Sequence, residues 1–163
     1  MATETAIFAA GCFWGVQDYI DHIPGVLKTT VGYCGGEETN PTYEQVSAHA
    51  TGHAEALKVE FDPTKVSYQT LLKHFFKLHD PTQYMRQGPD VGPQYRSAVF
   101  YTTEEQNHQA QAYIRELEAK QPEGKPIVTE LNPAGPFYDA EDGHQKFVKK
   151  NGYGACHVPY QPL

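Results

Sequence analysis

Thr5-Ala6-Ile7-Phe8-Ala9-Ala10-Gly11-Cys12-Phe13-Trp14-Gly15-Val16 begins as a short apolar run, breaks at a glycine and continues as a helix. The run Thr5 to Ala10 reads as a strand. Val16, Tyr19, Ile20 and Ile23 then recur at i, i+3, i+4 and i+7, one face of a helix that Pro24-Gly25 ends. The junction carries a cysteine, where unpaired backbone N–H groups and the helix dipole favour a thiolate. Phe13 and Trp14 follow it at once, and Gly11 and Gly15 allow unusual dihedrals or close approach. The plain alternative is a buried cysteine in an aromatic core, since free cysteine is among the most buried residue types.

Outward from this junction the pattern runs strand, helix, strand, strand, helix, strand. Val26 to Tyr33 is the next strand, stopped by Gly35-Gly36, and the stretch from Glu37 to about Gly52 reads as a loop. Leu57, Val59 and Phe61 alternate with Lys58 and Glu60, a half-buried strand. Ser67 caps a helix whose buried face is Leu71, Leu72, Phe75 and Leu78, and His79-Asp80-Pro81 stops it. A Gly/Pro/Gln-rich loop from Thr82 to Gln94 leads to the strand Ser97 to Tyr101. Thr103 with Gln106 then matches a capping box, opening a helix with Ala110, Ile114 and Leu117 inward. Ile127 to Leu131 reads as a last strand, Glu141 to Lys150 as a short polar helix, and the chain from about Asn151 as an extended Gly/Pro-rich tail. The expected fold class is α+β, a two-layer sandwich with a ferredoxin-like split βαβ core. Residues 1–163 are expected to form a single catalytic domain.

Composition narrows the function. The chain has 163 residues with 13 Lys+Arg against 20 Asp+Glu, a formal charge of −7, which argues against nucleic acid and anionic lipid as partners. No apolar run reaches the roughly 20 residues of a membrane span, and no basic segment followed by an apolar one opens the chain. A soluble cytoplasmic monomer is expected. The three cysteines, Cys12, Cys34 and Cys156, are odd in number and lack C-x-x-C spacing, so they read as catalytic or redox-active rather than as a zinc site. Among the eight histidines, His49 and His53 are separated by Thr51-Gly52, which breaks any shared helix, and no metal is expected.

Three other segments carry chemistry. In Gly52-His53-Ala54-Glu55 a carboxylate opens a buried strand, where desolvation raises its pKa and suits a proton donor; a surface Glu with a satisfied partner is the ordinary alternative. Gly88-Pro89-Asp90-Val91-Gly92-Pro93-Gln94-Tyr95-Arg96-Ser97 is a rigid loop ending in an amide, a phenol and a guanidinium. Asn40-Pro41-Thr42-Tyr43-Glu44 brings a second loop tyrosine. Tyr43 and Tyr95 each pack a ring and offer an O–H, although either alone reads as packing in a chain with 11 tyrosines.

The segments GCFWG, GYCGG, NPTYEQV, TGHAE, HDPTQ, GPDVGPQYRS and FYDAEDGHQ stand in this order from residue 11 onward. Together they resemble the A-type peptide methionine sulfoxide reductases over nearly the whole chain, Ala6 to Cys156. The resemblance implies that Cys12 is the nucleophile attacking the sulfoxide sulfur. Phe13 and Trp14 wall the ε-methyl group, and Glu55, Tyr43 and Tyr95 surround the oxygen, with Glu55 giving the proton. Asp90 helps polarise or hydrate that oxygen. Cys12 is left as a sulfenic acid, resolved by Cys156 in the glycine-rich tail, and the disulfide passes to thioredoxin or another dithiol; no bound cofactor is implied. The implied substrate is the S epimer of methionine sulfoxide, free or in oxidised proteins under repair. Gln17 stands where many relatives carry Glu and receives no catalytic role. Other readings are a cysteine peroxidase, which needs neither the aromatic pair nor a neutral Glu; a cysteine hydrolase with a base such as His53; and an aromatic-cage binding module, which explains neither Cys12 nor Cys156.

Overall fold

A computed structural model describes residues 3–37, 39–48, 52–88, 90–121 and 125–146. The opening junction folds as its pattern dictates: β1 (Glu4–Ala10) runs into α1 (Phe13–Asp21), with Cys12 as the residue that begins the helix. There follow β2 (Val26–Cys34), α2 (Tyr43–Ser47), β3 (Ala54–Phe61), α3 (Tyr68–Leu78), β4 (Arg86–Gln87), β5 (Asp90–Val91), β6 (Ser97–Tyr101), α4 (Glu104–Lys120), β7 (Glu130–Pro133) and β8 (Phe137–Asp139). Six strands make one sheet in the order β7-β6-β1-β3-β2-β8, and β4 and β5 form a separate small hairpin. All neighbours in the large sheet are antiparallel except β6 and β7.

Strand alternation gives the sheet two apolar faces. Phe8, Val31, Tyr33, Leu57, Val59 and Val99 face α1 and α3 in the main core. Ile7, Ala9, Cys34, Ala54, Ala56, Ala98 and Phe100 lie on the other face, closed by Ala134 and Phe137. The predicted helix stripes are the ones that bury. Val16, Tyr19 and Ile20 of α1 and Leu71, Leu72 and Phe75 of α3 are all within 2% of complete burial. The two helices are joined at Tyr19, whose hydroxyl meets His74 Nδ1 at 2.9 Å. Ser67 caps α3 by accepting the Thr70 N–H at 3.1 Å, and Thr103 caps α4 by accepting the Gln106 N–H at 3.1 Å. The reciprocal half of the second box is diverted. Gln106 accepts from Thr102 N–H at 2.9 Å and donates to the Thr5 carbonyl at 2.8 Å, which ties α4 to β1.

The structure differs from the sequence reading where elements are short. The expected loop 37–52 contains α2, set by a capping box in which Thr42 and Gln45 serve each other's backbone N–H. The loop 82–94 contains the β4/β5 hairpin and the first two residues of a single 3₁₀ turn, Pro93–Tyr95. The last predicted strand shifts from 127–131 to β7 at Glu130–Pro133, where parallel pairing with β6 sets the register, and β8 adds an edge strand beyond it. Of the expected helix 141–150 only a 3₁₀ turn, Asp142–His144, forms among the described residues, and residues 147–150 lie outside them. The tail from Asn151, with Cys156, also lies outside the described residues.

Gly11 makes the sharp exit from β1 possible. Its φ is +93°, and a Cβ there would meet Gln87 Cβ at 2.8 Å, so the β4/β5 hairpin packs directly against the turn before Cys12. Gln87 is itself held by Asp80, accepting from its N–H and donating to its carbonyl, both at 2.9 Å. Gly11→Ala therefore combines left-handed strain with overpacking and is expected to cost about 1–3 kcal/mol. Urea unfolding checks this, and an unchanged midpoint would show that the hairpin does not brace the turn.

Candidate active site

Cys12 is half-buried at the N-terminus of α1, its carbonyl accepting the Val16 N–H at 3.4 Å. The next N–H of the helix, that of Phe13, donates to Glu55 Oε1 at 3.2 Å. Glu55 is only 1% exposed, the second residue of β3, and β3 lies between β1 and β2 in the sheet. Its cross-strand neighbour on β2 is Tyr33, on the helix-covered face. A carboxyl from the middle of the sheet thus reaches the first turn of the thiol-bearing helix.

Tyr95 binds the remaining parts together. Its ionisation is pushed up first by burial and then by the nearness of Glu55, Tyr43, Asp90 and Cys12. One phenol, neutral and able to donate, stands beside the thiol, the buried carboxyl and the second tyrosine. Asp90 comes from β5, and burial raises its carboxyl above the ordinary range. Tyr43 opens α2, and its ring lies 6.3 Å from that of Phe13 and 6.1 Å from that of Trp14. Phe13 is 1% exposed and Trp14 is half-buried, so the two aromatics after the cysteine form a wall with Tyr43. Cys12, Phe13, Trp14, Tyr43, Glu55, Asp90 and Tyr95 are therefore neighbours in space, although they come from four elements and a 3₁₀ turn.

Other residues singled out in the sequence serve the frame. Arg96 turns away from Tyr95 to pair with Glu130 Oε1 at 3.3 Å and to donate to the Pro93 carbonyl at 2.9 Å. His53 is buried, accepts the Gly36 N–H on Nδ1 at 3.0 Å and packs edge-on against Tyr138. Cys34 pairs with Ala54 on the opposite face of the sheet from Tyr33, and burial pushes its thiol up to about 11. Among the described residues no three His, Cys, Asp or Glu side chains are grouped to hold a metal, and no helix is long and apolar enough to cross a membrane.

The sequence reading placed Glu141–Lys146 in a polar helix and gave it no part in the site, yet the segment closes the site from the side of α2. Glu141 accepts from the Tyr33 hydroxyl at 3.1 Å and from the Tyr43 N–H at 3.3 Å. His144 Nδ1 accepts the Trp14 indole N–H at 3.0 Å, and its ring stacks on Tyr43 with centroids 4.4 Å apart. Gln145 imitates a neighbouring strand, accepting the Val31 N–H at 3.0 Å and donating to the Val31 carbonyl at 2.9 Å. Gln17, fully buried in α1, accepts the Lys146 N–H at 2.6 Å and donates to Thr29 Oγ1 at 3.1 Å. The only signal for this segment was the polar string FYDAEDGHQ itself, since contacts between residues 98 to 130 apart leave no local period.

Comparison with known proteins agrees with this geometry. The chain matches the family described as peptide methionine sulfoxide reductase over residues 4–163. The peptide methionine sulfoxide reductase MsrA of Methanosarcina mazei is 54% identical over 150 residues, covering 92% of this chain and 71% of its own length. The crystal structure of Mxr1 from Saccharomyces cerevisiae in reduced form superposes with a TM-score of 0.88 at 33% identity, covering 99% of this chain and 93% of that one. Mxr1 in complex with Trx2 shares the fold with a TM-score of 0.63 at 24% identity, over 99% of this chain and 91% of that one. A match across almost the full length, joined to a cysteine at a helix N-terminus with a buried carboxyl beside it, places the chain in the peptide methionine sulfoxide reductase family, as an enzyme for thiol-dependent reduction of methionine sulfoxide.

Proposed function

We propose that the enzyme reduces the S epimer of methionine sulfoxide, free or in oxidised proteins, with Cys12 as nucleophile and Glu55 as proton donor. The observation that carries this assignment is the Phe13 N–H to Glu55 bond at 3.2 Å, which sets a carboxyl 1% exposed beside the thiol. A carboxyl so buried favours its neutral form. The protonated group still accepts from Phe13 on Oε1 and offers its proton from Oε2. The Cys12 thiolate, favoured by the helix N-terminus, bonds to the sulfoxide sulfur while Glu55 protonates the oxygen. Tyr43 and Tyr95 donate to that oxygen as negative charge develops on it, which stabilises the transition state more than the substrate. Asp90 polarises or hydrates the same oxygen, and Phe13 and Trp14 hold the methyl group. The protonated oxygen then passes to Cys12 as the substrate's S–O bond and the bond between the two sulfurs both break. The Cys12 sulfur is oxidised by two electrons to sulfenic acid as the substrate sulfur is reduced by two to the thioether, and the proton lost by Glu55 stays on the sulfenic oxygen.

Regeneration is assigned to Cys156. Its thiol attacks the sulfenic sulfur, forming a Cys12–Cys156 disulfide and releasing water, and a dithiol then reduces the bridge and becomes a disulfide itself. The Mxr1 complex with Trx2 supports thioredoxin as that dithiol. The placement of Cys34 on the other face of the sheet supports the tail cysteine as the resolving residue. No bound cofactor enters the scheme. The order β6-β1-β3-β2 within the sheet supports a ferredoxin-like split βαβ core, and one continuous sheet supports a single catalytic domain over 1–163. The charge of −7 supports a monomer that binds neither nucleic acid nor anionic membrane, and a cytoplasmic location is proposed with it.

Cys12→Ser is expected to abolish formation of methionine, because a hydroxyl there is too weak a nucleophile. Glu55→Gln should slow the first turnover by about 10²–10⁴-fold, the usual weight of general acid catalysis. Rapid-quench measurement of methionine formed in one turnover checks both, and a wild-type rate in Glu55→Gln would move the donor to a tyrosine. In Cys156→Ser one equivalent of methionine should form at the wild-type rate, after which thioredoxin-driven turnover fails. Peptide mapping of the wild type oxidised by sulfoxide should give a Cys12–Cys156 bridge; a Cys12–Cys34 bridge would transfer the resolving role.

A further inference from the structure

We propose that His144 is a positioning residue, one neutral imidazole that fixes both the Trp14 wall of the methyl pocket and the Tyr43 ring beside the oxygen site. The proposal rests on the assignment of Phe13 and Trp14 to the substrate's methyl group. An indole N–H can only donate, so the 3.0 Å contact from Trp14 Nε1 requires a bare Nδ1 on His144, with the ring proton on Nε2. An imidazolium carries hydrogen on both nitrogens and cannot accept this bond. The same ring lies near-parallel to the indole, 14° between planes, stacks on Tyr43 at 4.4 Å, and stands 5.8 Å from Phe13. His144 thus touches every aromatic of the wall.

Its place is set from both sides along the chain. Glu141, three residues before, holds the Tyr33 hydroxyl and the Tyr43 N–H. Gln145 and Lys146, immediately after, are bonded to Val31 and Gln17. The imidazole is therefore the projecting part of a segment fastened to α1, α2 and β2, and an indole aligned on it inherits that rigidity.

The charge state follows from the surroundings. Burial lowers the His144 ionisation below its ordinary value, with the Glu141 carboxylate opposing. The charged group that acts on it is Glu141 of its own segment, and the nearby phenols are Tyr43 of α2, stacked on the ring, and Tyr33 of β2, bonded to Glu141. Lys146, two residues on, is paired with Asp21 of α1 at 2.6 Å. Glu141 is itself held below the usual carboxylate range: burial acts upward, but hydrogen bonds from backbone N–H groups and the Tyr33 hydroxyl outweigh it. The phenols stay neutral throughout the acid range. Acidification through the His144 ionisation breaks the indole bond, and raising the pH restores it.

Trp14 is the only tryptophan in the chain, so its fluorescence reports this bond directly without turnover. Wild-type emission should show an acid step centred below the ordinary histidine value of about 6.5. His144→Asn, whose Oδ1 replaces Nδ1 as acceptor, should lose that step yet keep neutral-pH emission and a KM within about threefold of wild type, since the hydrogen bond survives. Having no ring to stack on Tyr43, it should lower kcat of the first turnover instead. His144→Phe keeps a ring on Tyr43 but offers no acceptor. It should lose the step, shift the emission and raise KM about tenfold, the weight of one hydrogen bond, with a smaller effect on kcat of the first turnover. An emission titration equal in wild type and His144→Phe, or a KM in His144→Asn as poor as in His144→Phe, would overturn the proposal. Failure of wild-type enzyme to reduce methionine sulfoxide would instead overturn the function on which it rests, while leaving the emission result readable.

Discussion

The hydrogen bond from Phe13 N–H to Glu55 Oε1 joins residues 42 apart in sequence and ties the first turn of α1 to the centre of the sheet. It uses a donor that every helix N-terminus leaves over, and it answers part of the cost of burying a carboxyl. The rest of the fold meets its geometric demands. β3 lies between β1 and β2, so the start of β3 is next to the end of β1 where the chain turns at Gly11. The turn itself is closed off by Gln87, which brings the hairpin carrying Asp90 to the same corner.

Alternation along the strands separates two kinds of chemistry by one residue. Tyr33 and Cys34 are consecutive on β2, yet Tyr33 shares the helix-covered core while Cys34 lies in the small cluster on the other face. Glu55 and Ala54 are divided in the same way on β3. The sheet thus keeps the buried, poorly ionising Cys34 thiol on the face opposite Tyr33, and a shift of β2 by a single residue would exchange the two faces.

Elements with several turns of apolar period were legible in the sequence: α1, α3, α4 and the strands β1, β2, β3 and β6 lie where their patterns put them. The pieces that escaped are those too short to have a period. The hairpin has two residues per strand, β8 has three, and α2 has five; for α2 the Thr42-x-x-Gln45 box was the available local sign. Of the residues that gather at the corner, Cys12 and Glu55 could be picked out because one stands at a strand-to-helix junction and the other near the start of an apolar strand, and Tyr43, Asp90 and Tyr95 because they stand on polar segments that a core would not select. His144, Glu141, Gln145 and Gln17 were not. Their bonds reach Trp14, Tyr33, Val31 and Lys146, and such partners are set by tertiary packing alone. Gln17, noted in the sequence only as standing where many relatives carry Glu, is a fully buried anchor bonded to Lys146 and Thr29.

The central claim is that a buried, protonated Glu55 stands ready beside Cys12 at neutral pH. The infrared difference spectrum between wild type and Glu55→Gln at neutral pH tests it most directly. The account predicts a carbonyl band of a protonated carboxyl in the wild type that is missing from the variant and is altered when methionine sulfoxide is added without reductant. A difference spectrum containing only ionised-carboxylate bands would contradict it, because Glu55 would then have no proton to give.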